Sequence, residues 1–208
     1  HDSIPEQERE ELRRQLKIDR LLQDIGPLIE GSLEGAERVS EIVEDLRRFS
    51  TPNQQQCQSF DLVRVIRTAA DWVIKARRDR PELDIELPVE ITVTGYEGYV
   101  HQILVNLIQN AADALEGRQA RRIRIEAGRT GDTVQIRVRD SGGGIAHDQL
   151  LRVFDPFYTT KPVGKGTGLG LFISYNLATE QCQGRLSARN HPAGGAEFLL
   201  EIPLELRA

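Results

Sequence analysis

The chain has 208 residues, 39% of them hydrophobic and 28% charged, enough for one or two domains with a real core. Its 27 Lys and Arg against 32 Asp and Glu leave a formal charge of −5, so no global basic field recruits nucleic acid. No apolar run approaches the roughly 20 residues that span a bilayer, and His1-Asp2-Ser3-Ile4-Pro5 lacks the apolar core of a signal peptide.

The first residue is not Met, which reads as a piece of something longer. Residues from about Glu6 to Ser50 read as helix. Leu22, Ile25, Ile29, Ala36, Val39, Val43 and Leu46 recur at alternating three- and four-residue steps, with Ser32 filling one gap, as in the seam of a coiled coil or bundle. Gly26-Pro27 interrupts the pattern and predicts a kink there or a helix restarting at Pro27. One narrow apolar stripe cannot bury itself, so the helix wants partners, most simply a second copy. Thr51-Pro52-Asn53-Gln54-Gln55-Gln56 is polar and helix-breaking and marks a boundary. The division expected is 1–52 for the helical region, 53–58 for a linker and 59–208 for a second domain. Cys57 and Cys182 make neither a disulfide framework nor a zinc site, and read as small residues in a reducing cytosol.

Asp61 looks like an N-cap for a helix burying Val63, Ile66, Ala70, Val73 and Ile74 and ending near Arg78. Trp72 on it reads as a packing residue. Leu83–Leu87 and Ile91–Thr94 alternate as strands. Tyr99 to Leu115 is an amphipathic helix with Leu104, Leu107, Ile108, Ala111 and Leu115 as its apolar stripe, ended by Gly117. Arg122–Ala127 and Thr133–Arg139 are strands around the turn Thr130-Gly131-Asp132. After two glycine clusters, Gly168–Gln181 reads as helix, and Arg185–Arg189 and Ala196–Pro203 as strands joined at Ala193-Gly194-Gly195. Helices and strands interleave with hairpin-like neighbours, which predicts a mixed sheet.

The chemistry concentrates between Asp140 and Gly170. Asp140-Ser141-Gly142-Gly143-Gly144-Ile145 and Gly164-Lys165-Gly166-Thr167-Gly168-Leu169-Gly170 flank Phe154-Asp155-Pro156-Phe157-Tyr158-Thr159-Thr160-Lys161. Glycine runs admit close ligand approach, and one that opens a helix presents unpaired N–H groups to an anion. The segment between reads as a lid with Phe154 and Phe157 anchoring one end. Val134, Ile136 and Val138 share a strand face, and the period of two places Asp140 on that apolar side. A carboxylate there wants a donor such as a ligand amino group; a turn or cap Asp before a glycine loop is the plainer alternative. Asn106, Asn110 and Asp113 lie on one helix stripe. Oxygen donors on a rigid helix beside a phosphate site suit Mg²⁺, whereas an ordinary exposed face is the alternative. Only 4 of the 27 basic residues are Lys, and Lys161 and Lys165 both fall in the lid. The glycines at 164, 166, 168 and 170 follow no strand of a βαβ unit, which rules out a dinucleotide-binding fingerprint, and no Walker loop is present. His101, His147 and His191 show neither metal spacing nor a nucleophile partner.

These motifs resemble, in order, the boxes of one family. Asn106-Leu107-Ile108-Gln109-Asn110-Ala111 is similar to the N box, Asp140 to Ile145 to the G1 box, Phe154-Asp155-Pro156-Phe157 to the F box and Gly166 to Leu171 to the G2 box of the catalytic ATP-binding domain of sensor histidine kinases. That domain sits within the gyrase/Hsp90/kinase/MutL ATPase superfamily, and the likeness runs from about Ser59 to the C-terminus. Leu33–Val39 through Phe49-Ser50 resembles the second helix of the dimerisation and phosphotransfer domain, most similar to the soluble nitrogen- and hydrogenase-regulating kinases. The resemblance implies a Bergerat-type α/β sandwich, a mixed sheet covered on one face by helices, preceded by a long dimerisation helix.

It also implies ATP and Mg²⁺ as cofactors, Asn110 as the main metal ligand with Asn106 assisting, and Asp140 on adenine N6. Asp113, Ile145, Phe157, Tyr158, Thr159, Thr167 and Leu169 would contact the nucleotide. Gly142, Gly144, Gly166, Gly168 and Gly170 would shape pocket and lid, and Lys161 and Lys165 would reach phosphates. The implied partners are a second copy and a response regulator, in the cytoplasm. The acceptor His box is not matched, since His1-Asp2-Ser3-Ile4-Pro5 has its Pro one residue early, so the acceptor helix is expected to precede this fragment. An anti-sigma-type protein-serine kinase shares the boxes but not the long helix. A non-catalytic binding module would not need an intact Asn110 and Asp140, and a gyrase- or MutL-like ATPase would need a transducer domain.

Overall fold

Helix α4 (Glu97–Asp113) carries apolar residues on more than one flank, and the sheet-containing part of the chain is assembled around it. The computed structural model describes residues 6–15, 17–50, 56–162 and 166–206. On α4, Val100, Ile103, Leu104, Leu107, Ile108, Ala111 and Ala112 are buried, a broader set than one stripe. The extra positions are covered because α4 packs on helix α3 (Leu62–Lys75), on helix α6 (Gly170–Asn176) and on strand β5 (Thr133–Asp140). Each fully buried Leu or Ile contributes about 1.5–3 kcal/mol of hydrophobic stabilisation.

Asp61 caps α3 as its residue type predicts, accepting a 3.0 Å hydrogen bond from the Val63 backbone N–H. Leu62, Val65 and Ala69 join the expected buried face, while Ile74 is only partly buried. Trp72 is a correction: its side chain is 60% exposed and lies against the His101 ring, with centroids 6.4 Å apart. It stands at the rim of the α3–α4 contact, where the His101 ring of α4 reaches it.

The main sheet has the order β2 (Glu82–Glu86), β4 (Arg122–Thr130), β5, β7 (Ala196–Pro203), β6 (Arg185–Asn190). The pair β2–β4 is parallel and the other three pairs are antiparallel, so the sheet is mixed as expected. In β5, Val134, Ile136, Val138 and Asp140 are buried while the alternate residues are half-exposed. The helices therefore cover one face, and the other carries charge pairs such as Arg124 with Asp84, Glu86 and Glu126. Gly131, at φ +62, makes the tight β4–β5 turn. A short two-stranded sheet, β1 (Gln58–Asp61) with β3 (Thr92–Gly95), was only half legible: β1 is too short to show alternation. The helix after the second glycine cluster opens at Gly170 rather than Gly168 and ends in a π-helical turn, Leu177–Gln181.

The N-terminal helix also departs from expectation. Helices α1 (Glu6–Gln15) and α2 (Ile18–Ser50) separate at Lys17, whose φ is +52, and α2 runs through Gly26-Pro27 unbroken. The hydrogen bond that proline removes would have ended on the carbonyl of Gln23, an exposed residue, where water satisfies it locally. Ile25, Ile29, Val39 and Val43 of the predicted seam are exposed, as are Leu28 and Leu33 beside it. The side chains of Leu22 and Leu46, and residues 51–55 of the expected boundary, lie outside the described residues. No described helix is long and apolar enough to cross a membrane.

Truncating Leu107 to Ala, at 0% exposure on α4, is expected to destabilise the domain by about 2–5 kcal/mol in urea denaturation. The same change at exposed Val89 is expected to cost less than about 0.5 kcal/mol.

Candidate functional site

Because α4 buries its apolar flanks, its remaining stripe of Asn110 and Asp113 faces outward beside the C-terminal end of β5. The space they border is a cleft of about 1080 Å³. Of the residues singled out in the sequence, Asn110, Asp113 and Asp140 line it from the core side. Gly144, Ile145, Tyr158, Thr159, Lys161 and Gly166 line it from the two loops.

Asp140 lies on the floor, 3% exposed. Its Oδ1 accepts backbone N–H bonds from Gly142 at 2.7 Å and Ala196 at 3.3 Å. Burial pushes its carboxyl above the ordinary value, against the lowering effect of those bonds and of the Arg118 charge. A close backbone approach makes the Ala196 bond possible. Gly195, at φ +82, has no room for a Cβ, which would run into the Asp140 carbonyl. The glycine loop itself is clamped by Asn190, whose amide accepts from Ile145 N–H at 2.7 Å and donates to the Ile145 carbonyl at 2.6 Å.

At the other end of the cleft the Lys161 ammonium lies 2.5 Å from Asp113 Oδ2 and 3.3 Å from Asn110 Oδ1. Burial lowers the Lys161 pKa, the like charge of Arg77 lowers it further, and Glu116 opposes this. Asp113 Oδ1 in turn accepts from the Arg77 guanidinium and, at 3.2 Å, from Gln109 Nε2. The Asn110 amide oxygen thus already lies beside a cation. An amide oxygen on a rigid helix, with phosphate oxygens and waters completing the shell, fits Mg²⁺.

Other expected residues stand outside the cleft lining. Asn106 turns its amide the other way, donating to the Gly170 carbonyl and to Ser174 Oγ, each at 3.1 Å. It therefore ties α4 to the start of α6. Leu169 is buried in the core, and Thr167 Oγ1 accepts from its N–H at 3.3 Å. Gly168, at φ +70, abuts the Phe157 backbone so closely that a Cβ would collide with it, which pins the two ends of the lid together. Phe157 is a correction: with φ +64 its ring points outward, 63% exposed, so its backbone rather than its ring makes the anchor. Phe154 does anchor, stacking on Tyr175 at 5.2 Å. The Arg152 guanidinium covers the Tyr158 ring at 4.6 Å. Lys165 and Gly164 lie outside the described residues.

Sequence reasoning missed Arg77, Asn190, Ala196 and Phe198 at or around the cleft. Arg77 was one of many arginines, and the others act through strand register or a backbone N–H, which leave no pattern in the sequence. Replacing Asp140 by Asn keeps the Oδ1 acceptor and removes the charge. Because the folded pKa is raised, stability falls as pH rises above 3.8 and through the folded pKa. Asp140→Asn is therefore expected to melt above the parent at pH 7, with the gain shrinking as pH falls toward 3.8, as followed by scanning calorimetry.

Residues 95–206 match the family described as histidine kinase-, DNA gyrase B-, and HSP90-like ATPase. The chain is 36% identical over 175 residues to the two-component sensor PprA of Pseudomonas aeruginosa, covering 80% of this chain and 19% of that protein. It is 32% identical over 174 residues to the sensor histidine kinase ZraS of Escherichia coli K12, covering 82% of this chain and 36% of that one. The chain thus spans well under half of either relative. Among solved structures, the catalytic domain of the histidine kinase ThkA superposes with a TM-score of 0.64 at 27% identity, covering 72% of this chain and 97% of that one. The chain belongs to the histidine kinase-, DNA gyrase B- and HSP90-like ATPases, and its globular part is a nucleotide-binding catalytic domain of the sensor histidine kinase type.

Proposed function

We propose that this domain binds ATP with Mg²⁺ in the cleft and transfers the γ-phosphate to a histidine on a dimerisation helix, for relay to a response regulator. The observation that carries the reading is the pairing of two unlike ends in one cleft. At one end is a buried carboxylate suited to an amino group, and at the other an amide and a carboxylate oxygen holding a lysine. An adenine nucleotide has the complementary ends, an exocyclic amine and a polyanionic tail. ATP as donor places the domain in the cytoplasm, and the exposed stripe of α2 supports association with a second copy.

In this reading Asp140 accepts a hydrogen bond from the adenine amino group, its position set by the Gly142 and Ala196 N–H groups, which offset part of the cost of a charge at a site of low polarity. Asn110 Oδ1 supplies the protein ligand to the metal, and Asp113 borders the same place. Mg²⁺ when bound neutralises phosphate oxygens as charge shifts onto the leaving group. Lys161 leaves Asp113 and Asn110 for the phosphates. Asn106 serves as the tether that keeps the start of α6 against α4, in place of the assisting metal ligand implied by the family resemblance. Tyr158, Thr159, Ile145 and the glycines at 144 and 166 wall the cleft and limit water. The incoming imidazole nitrogen forms the new P–N bond as the bridging P–O bond to ADP breaks, so the domain contributes positioning and charge rather than covalent chemistry.

Calorimetric titration of ATP with and without Mg²⁺ tests the reading. Micromolar-range binding is expected, with Asn110→Ala losing about 10- to 100-fold of the Mg²⁺-dependent affinity and Asp140→Ala weakening all adenine nucleotides. The isolated chain is expected to take up no phosphate at a histidine, and to phosphorylate a helical hairpin carrying the acceptor histidine when that is supplied in trans. Absence of ATP binding by the unmodified chain would overturn the proposal and leave a fold kept for partner contact.

A further inference from the structure

Arg77 is a cationic side chain of the cleft to which the proposed phosphotransfer gives no task. It lies two residues beyond the end of α3, and its side chain is 15% exposed. One terminal nitrogen is ion-paired with Asp113 Oδ1, and the other lies 3.5 Å from Glu116 Oε1. Its Nε is buried and has no hydrogen-bond partner among the described residues. A guanidinium carries five N–H donors in a planar fork, and a buried donor without an acceptor is costly. An arginine whose whole role was to staple α3 to α4 could present a two-nitrogen edge to Asp113. Arg77 instead meets that carboxylate through one nitrogen.

Lys161 reaches the same carboxylate from the lid, on the other oxygen. Two cations from separate segments therefore converge on one anion at the wall of the cleft, and their mutual repulsion helps to lower the Lys161 pKa. A single carboxylate has two oxygens, and both are engaged. A polyphosphate offers more oxygens and more charge, and matches the fork of an arginine bidentately. Arg121, whose Nε is likewise buried with no partner among the described residues, differs in its terminal nitrogens: both end on Asp79, so it closes the segment that carries Arg77.

We infer that Arg77 is a second cationic ligand of the nucleotide's phosphate tail, and that Asp113 is an internal stand-in which holds Arg77 and Lys161 together until a polyphosphate takes them over. This rests on the nucleotide reading of the cleft. It makes Arg77 a determinant of how strongly the domain prefers a triphosphate over a bare nucleoside.

The test compares ATP, ADP and adenosine binding, in the presence of Mg²⁺, to the unmodified chain and to Arg77→Gln, Arg77→Lys and Asp113→Asn. Arg77→Gln is expected to lose about 10- to 100-fold for ATP while adenosine affinity changes less than about twofold. Arg77→Lys recovers part of the loss, since it restores charge but not the fork. Asp113→Asn binds ATP at least as tightly as the parent, because the competing anion is gone. An equal loss for ATP and adenosine in Arg77→Gln would show a purely structural staple and overturn the inference, as would an unchanged ATP affinity. A marked loss of ATP affinity in Asp113→Asn would overturn the stand-in role. If the unmodified chain binds neither ATP nor adenosine, the nucleotide reading fails as well. If it binds both and Arg77→Gln shows no selective loss, the inference alone fails.

Discussion

Helix α4 is held on several sides at once, by α3, by α6 and by the inner face of the sheet, and the catalytic geometry depends on that burial. With Ile103, Leu104, Leu107 and Ile108 at 0% exposure, the helix cannot rotate without exposing apolar surface. Its polar positions then have fixed addresses. Asn106 is directed at the lid helix, while Asn110 and Asp113 border the cleft. Side chains three and four apart on one helix share a stripe, but a few tens of degrees separate a residue that faces a ligand from one that faces a neighbouring element.

The floor of the cleft obeys a different constraint. The alternation of β5 carries Asp140 to the buried face, where a carboxylate is unfavourable. The fold answers with backbone N–H groups from a glycine loop and from the first residue of β7, and the second of these needs a glycine at position 195. The outcome is a carboxyl that binding wants ionised and that burial holds above its ordinary pKa. A site of this kind is less stable than the fold could be, which is where function and stability commonly diverge.

Cations and anions at the far end of the cleft balance within the protein. Lys161, Arg77, Asp113 and Glu116 neutralise one another across three segments of chain. Arg77 and Asp113 are largely buried, so either one left unmatched would be costly, whereas Glu116 stands at the exposed rim. Exchange of the internal carboxylate for a ligand's phosphates keeps that balance, so binding and lid position are coupled through charge.

The sequence alone determined the types of the longer elements, the mixed sheet, the cap at Asp61, the buried face of β5 and the family, because these follow from period, turn chemistry and ordered motifs; strand β1 and the π-helical turn at Leu177–Gln181 left no such signal. Local signals misplaced the break in the N-terminal helix, since an exposed helix can absorb a proline whose lost acceptor is solvated. They also misjudged Trp72 and Phe157, whose burial depends on which flank a neighbour covers and on a left-handed backbone at residue 157. Tertiary structure decided that Asn106 faces the lid helix rather than the cleft, and that Arg77, Asn190 and Ala196 belong to the site. Those assignments pair residues from 36 to 68 positions apart. Periodicity reports which side of an element is apolar, and only the packing of elements decides what the other side meets.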